Sequence, residues 1–227
     1  MASKIIIPTS LSEITLKQYQ ELMKLQDEND SNIVAAQKMI SILCRVRFEE
    51  VLQFEAVSVY EIVGKLNNIF KEKTEFVQTF KIGEYEFGFI PDLESMTFGE
   101  YIDSEKYMQE WDTMHKAMAV FYRQITKRKG EQYEIEPYVS AVTYADMMEM
   151  MPLNVVLGAT FFFRVLSEEL LTAMMDYLEE QTKEMLKTTP QQANLQIDGD
   201  GIKAFIHSAK VMLDEWTALP HYRSINA

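Results

Sequence analysis

The sequence predicts a mainly α fold, an irregular helical bundle with one small antiparallel β-hairpin. Three observations predict it. Helix-start signals recur at Thr15/Gln18, Ser58/Glu61 and Thr97/Glu100, each a hydroxyl residue with Glu or Gln three positions on. Apolar residues return at helical spacing along most of the chain. Only the stretch at about 76–90 changes to a period of two.

Lys4–Pro8 (KIIIP) reads as a short strand or extended arm. At the first box Ile14 is placed to staple against Tyr19, at the second Val57 against Ile62, and at the third Met96 against Tyr101. Between the first two boxes, Ile33, Met39, Ile40 and Leu43 suggest a helix entered through Asp30-Ser31. Val59, Ile62, Val63, Leu66, Ile69 and Phe70 then form one continuous helical stripe. Phe76–Ile82 and Tyr85–Ile90 alternate, and Gly83-Glu84 between them fits a two-residue type II′ turn with Gly at the positive-φ position. Such a ribbon is marginal alone, so it must pack on helices or on a third strand.

After the third box a helix is expected from about Ser104 to Ile125, with Tyr107, Trp111, Met114, Met118, Tyr122 and Ile125 along one side. Lys127–Glu131 reads as a charged loop, and Gln132–Tyr138 as a short strand stopped by Pro137. Thr143 opens a short Met-rich helix, and Pro152 suits the first turn of a long one reaching about Lys187, with Gly158 as a place for a bend. Thr188–Gly201 is the expected linker before a last helix, Ile202–Leu219. No repeat interrupts the chain, and residues 1–227 are expected to form a single domain.

Composition narrows the function classes. The chain is 47% apolar with a formal charge of −13, and the acidic excess is spread evenly. That balance disfavours specific nucleic-acid binding and attachment to anionic lipid, which need clustered cations. A lone cysteine, Cys44, allows no internal disulfide and suggests a reducing compartment. No signal peptide is expected, and the most apolar window, Leu153–Phe163, is too short to cross a bilayer.

Candidate chemistry is sparse. Asp112 and His115 lie one helical turn apart, but a bundle di-metal site needs several Glu ligands and two Glu-x-x-His pairs. The Asp198–Gly201 segment resembles part of a calcium loop without its bidentate Glu, and a turn with Asp200 capping the last helix fits it better. No phosphate loop, nucleophile elbow or Cys/His pair occurs. No catalytic, cofactor-binding or metal-binding residue is therefore assigned, and no enzyme is expected. Two clusters remain as candidate partner-binding residues. Arg123, Lys127, Arg128 and Lys129 form one basic group, which either caps a helix end or meets an acidic partner. Met147, Met148, Met150 and Met151 form the other; four methionines in five positions cannot all point inward from one helix, and such side chains repack around varied apolar partners. Core filling is the competing reading for them.

The run FGFIPDLESMTFGEYID, followed by W-x-x-M-H-K-A-M-A-V-x-Y-R at Trp111–Arg123, resembles small helical proteins of tailed bacteriophages. ITLKQYQELMKL and YADMMEMMPLNVVLGATFFF are compatible with the same group. One departure is Gln124, where the group has Pro after the Tyr-Arg pair. The resemblance implies a non-enzymatic virion-morphogenesis protein, akin to a tail assembly chaperone, that holds a helical or apolar segment of another phage protein. Partners would be tail or portal-region proteins, in the cytoplasm of the infected host or in the virion. A structural virion component, a portal-proximal ring subunit or packaged cargo, is the alternative, and a homo-oligomer would suit it. A host-directed regulator is the third.

Overall fold

A computed structural model describes residues 5–24, 31–93 and 95–166, with Thr172 and Tyr177. Backbone contacts divide the chain into two units, residues 1–159 with 220–227 and residues 160–219. In the described part of the second, the rings of Phe162 and Phe163 meet edge to face at 5.6 Å. The expected linker at 188–201, the last helix and the Asp198–Gly201 turn all lie outside the described residues.

The first unit is mixed in class: helices accompany a four-stranded antiparallel sheet, so the expectation of a bundle with only a hairpin is corrected. Residues 5–8 join no strand. Helix α1 (Leu16–Lys24) starts at the first box, where the Thr15 amide donates to Gln18 Oε1 at 3.1 Å and the Gln18 amide to Thr15 Oγ1 at 3.3 Å. Helix α2 (Asn32–Leu43) is capped by Ser31, whose hydroxyl accepts from the Val34 amide. A short α3 (Phe48–Val51) leads to α4 (Ala56–Ile69). Here the second box does not form. Glu55 is the N-cap, the helix begins before Ser58, and Val57 stands exposed instead of stapling Ile62. Ala56 and Val57 continue the helix backwards by a turn because nothing at those positions opposes helical backbone.

Strands β1 (Thr79–Ile82) and β2 (Tyr85–Phe89) pair with Ile82 opposite Tyr85, so the loop is the two residues Gly83-Glu84, and Gly83 has φ +59°. Phe80 and Phe87 face each other across the ladder, rings stacked at 5.6 Å. Helix α5 (Phe98–Tyr107) carries a complete capping box between Thr97 and Glu100.

The long helix expected from Ser104 to Ile125 is not formed. α5 ends at Tyr107, a 3-10 turn occupies Trp111–Thr113, and α6 is only Met114–Phe121. Thr113 Oγ1 donates to the carbonyls of Tyr107 (3.0 Å) and Glu110 (3.2 Å), closing the break, while Trp111 is buried edge-on to Tyr19 at 4.7 Å. α6 is apolar on nearly every side and sits in the core. From it the chain passes without a loop into β3 (Tyr122–Lys129), which pairs with β2 and with β4 (Gln132–Ile135). Tyr122, Ile125 and Thr126 suit a pleated surface, and pairing with Phe87–Phe89 supplies the third strand that the ribbon needs. The sheet order is β1-β2-β3-β4, with an irregularity between Ile125 and Lys127.

Helix α7 (Ala145–Met148) packs on α6, and a further helix, α8, covers 153–166 of the described residues. The segment between them is tied to the start of α1: the Leu16 amide donates to Met151 O at 2.9 Å, the Lys17 amide to Glu149 O at 2.8 Å, and the Leu153 amide to Ile14 O at 2.8 Å. Gly158 lies where α8 crosses the approach to β1. A Cβ there would stand 2.2 Å from Glu75 O, so the glycine serves close approach. Among the described residues, no helix is long and apolar enough to cross a membrane.

Candidate functional site

The four basic residues do not form one patch. Arg123 is buried in β3, where Nη2 donates to Glu100 Oε1 at 2.7 Å. Its guanidinium lies 5.7 Å from the centre of the Tyr138 ring, and its buried Nε has no hydrogen-bond partner. The same Glu100 carboxylate accepts from the Thr97 amide at 2.6 Å and from Thr97 Oγ1 at 2.7 Å. One buried acid thus both caps α5 and fixes it to the sheet. Lys127, Arg128 and Lys129 are strand residues, not a loop or a helix cap. Lys127 pairs with Glu134 at 2.9 Å and Arg128 with Glu86. All three line one open cavity at the end of β3 and β4, together with Glu131 and Glu134. The hydrogen bond that Lys127 donates to Glu134 raises the Lys127 pKa, and Coulomb attraction adds to it.

The methionines divide as well. Met148 and Met151 are fully buried, Met147 is half-buried and Met150 exposed. α7 is four residues long and turns one side to α6, and among the described residues no groove lined by all four is found.

An open apolar surface lies between α2 and α4. A groove of about 540 Å³ is lined chiefly by Ile33, Ala36, Val51, Leu52, Phe54, Val59, Tyr60 and Val63. Its walls leave large side chains in solvent: Ile33 is 73% exposed, Leu52 66% and Tyr60 56%, with Val57 beside them at 68%. The sequence placed Ile33 and Val59 on core-facing stripes and gave no role to Leu52 and Tyr60. One signal was present: Val57, Tyr60 and Gly64 fall on a stripe of their own, turned away from Ile62, Leu66 and Ile69. A second apolar surface lies on α5. Phe98, Tyr101 and Ile102 share its outer side and are exposed, as are Val139 and Val142. Tyr138, just before them, packs over Gly99 and donates its hydroxyl to Asp103.

The remaining candidates are structural. Asp112 pairs with Lys24 at 3.4 Å, and His115 Nδ1 meets Gln20 Nε2 at 3.1 Å, so the two do not converge. Burial lowers the His115 pKa. No group of three or more His, Cys, Asp or Glu able to hold a metal occurs among the described residues. Cys44 is buried, which pushes its thiol up to about 11 and leaves it unreactive at neutral pH.

Tyr144 gives a pH prediction. Burial first, and then its hydrogen bond to Glu136, push its phenol from 10.0 up to about 12. The folded state therefore keeps this proton where the unfolded chain has lost it. The contribution is fully present below pH 10.0 and is lost as pH rises towards about 12. Denaturant titrations should show stability falling over that window, with a smaller fall in Tyr144→Phe; an unchanged fall would remove Tyr144 as a contributor.

Comparison of the chain with family models, with curated proteins and with solved structures found no match.

Proposed function

We propose that this chain is a non-enzymatic protein of tailed-phage particle assembly, akin to a tail assembly chaperone, which holds an apolar helical segment of another phage protein. The observation that carries this reading is the open groove between α2 and α4, walled by exposed Ile33, Leu52 and Tyr60. Large apolar side chains gathered in one concavity and left in water mark a surface for another polypeptide. A groove between two helices is a shape that receives a third. The net charge of −13 would keep such a complex dispersed while its client is loaded.

The exposed face of α5 favours a second reading. Phe98, Tyr101 and Ile102 give the molecule a further, different apolar surface. Two unlike surfaces are what a head-to-tail ring subunit requires, so a structural virion component near the portal is the alternative.

Mass spectrometry of purified particles and copurification from infected cells separate these readings. A chaperone is absent from the finished particle and copurifies with an unassembled tail protein, whereas a ring subunit is present in many copies. Copurification with host proteins alone would overturn both.

A further inference from the structure

We infer that Gln20 and His115 form an acid-sensitive latch: the neutral imidazole fastens the second half of α1 to the break before α6, and a proton on Nδ1 releases it. Gln20 is buried in α1, and its Nε2 faces two groups at once, the Trp111 carbonyl oxygen at 2.5 Å and His115 Nδ1 at 3.1 Å. A carbonyl oxygen can only accept, so the amide turns its NH2 group, not its oxygen, to Trp111. The second hydrogen of that group points to Nδ1, which must present a lone pair, and the imidazole proton sits on Nε2. Protonation of Nδ1 sets one N–H against another. Turning the Gln20 amide over brings no relief, because its oxygen would then lie against the Trp111 oxygen. Neither orientation satisfies the charged ring, and the hydrogen bond between α1 and α6 is lost.

The surroundings keep the ring neutral at ordinary pH. His115 is the second residue of α6, where the helix macrodipole opposes positive charge. Burial lowers its pKa; of the charges around it, Glu149 and Asp146 at α7 raise it, and Lys116 on its own helix and Lys24 on α1 lower it. Glu149 is already held by Lys17 at 2.7 Å, so its carboxylate is partly compensated. A histidine whose folded pKa lies below the ordinary 6.5 contributes fully above that pH, and the contribution is lost as pH falls through the folded value. The Lys24–Asp112 pair beside the latch is exposed on both sides and adds little hold in water. Release therefore frees Gln20–Lys24 and loosens the edge contact between Tyr19 and the buried Trp111.

The tautomer is read first, by long-range proton–nitrogen NMR of the full chain at neutral pH. His115 should carry its proton on Nε2; a proton on Nδ1 overturns the latch without any substitution. Amide exchange is then followed on acidification from about pH 7.5 to about pH 5, the range in which a histidine titrates. Protection of the amides at 20–24 should fall by about fivefold, the usual contribution of one hydrogen bond, while α4 keeps its protection. His115→Asn places near Nδ1 an amide oxygen that does not titrate in this range. Its acid response in α1 should vanish, with the protection at neutral pH retained. Gln20→Met removes the partner, and the titration midpoint of His115 should rise, because a proton on Nδ1 no longer meets a donor. A contact that only packs predicts no movement of that midpoint. An acid response of α1 undiminished in His115→Asn, or a midpoint unmoved in Gln20→Met, overturns the proposal.

Discussion

Gly158→Ala is expected to destabilise the protein by about 3 kcal/mol, as overpacking a filled site does. For a chain of this size that lowers Tm by roughly 10 °C. The sign is informative, because alanine in a helix ordinarily gains up to about 1 kcal/mol over glycine. Here the added methyl would lie 2.2 Å from the Glu75 carbonyl oxygen and 3.0 Å from its carbon. Those are backbone atoms on the approach to β1, and they cannot swing aside as a side chain does. Either α8 lifts or the 75–78 segment shifts, and the latter receives the Phe89 amide on Gln78 O at 2.8 Å and the Tyr122 hydroxyl on Val77 O at 2.7 Å. Thermal melts of the variant and of Gly64→Ala make the comparison internal. The second substitution meets open space and should raise Tm slightly. A level or raised midpoint in Gly158→Ala would show that the crossing is looser than described.

Arg123→Met is expected to cost about 3–5 kcal/mol, the usual penalty for leaving one charge of a buried pair without the other. Glu100 would remain in the interior, its Oε1 deprived of the guanidinium at 2.7 Å. The pair Glu100→Leu/Arg123→Met should recover most of that loss. Arg123 Nε has no hydrogen-bond partner, so the native ion pair already bears an uncompensated desolvation cost. The recovery will be incomplete by about 1 kcal/mol, since Glu100 also completes the cap on Thr97. Urea titrations of the two single variants and the double variant give the coupling directly. Equal losses in Arg123→Met and the double variant would mean that the pair is not the tie between α5 and the sheet.

These two positions also show what could be read from letters alone. The Thr97/Glu100 box and the Gly83-Glu84 hairpin are local devices, complete within four residues, and the sequence displays them directly. Arg123 was misplaced because Met118, Tyr122 and Ile125 keep helical spacing right through the junction where α6 becomes β3. What decides that junction is the pairing of Tyr122 with Phe89 and of Gln124 with Phe87, partners more than thirty residues away in sequence. The break before Trp111 has the same origin, since that indole is held by Tyr19 in α1. The groove was hidden for a different reason. Whether Leu52 or Tyr60 is covered depends on where α2 and α3 stop, and periodicity within α4 shows only which residues share a side.

The two borders of the sheet carry one more consequence. β1 and β4 are its outer strands, each of four residues, and β4 offers Glu134 beside Lys127 just past the irregularity in β3. Brief, charged and contorted margins are poor templates for a foreign strand. Growth by ribbon-to-ribbon accretion, the route to insoluble fibres, is thereby discouraged. Whatever self-association the uncovered hydrocarbon on α2, α4 and α5 favours, the described margins of the pleated layer do little to template it.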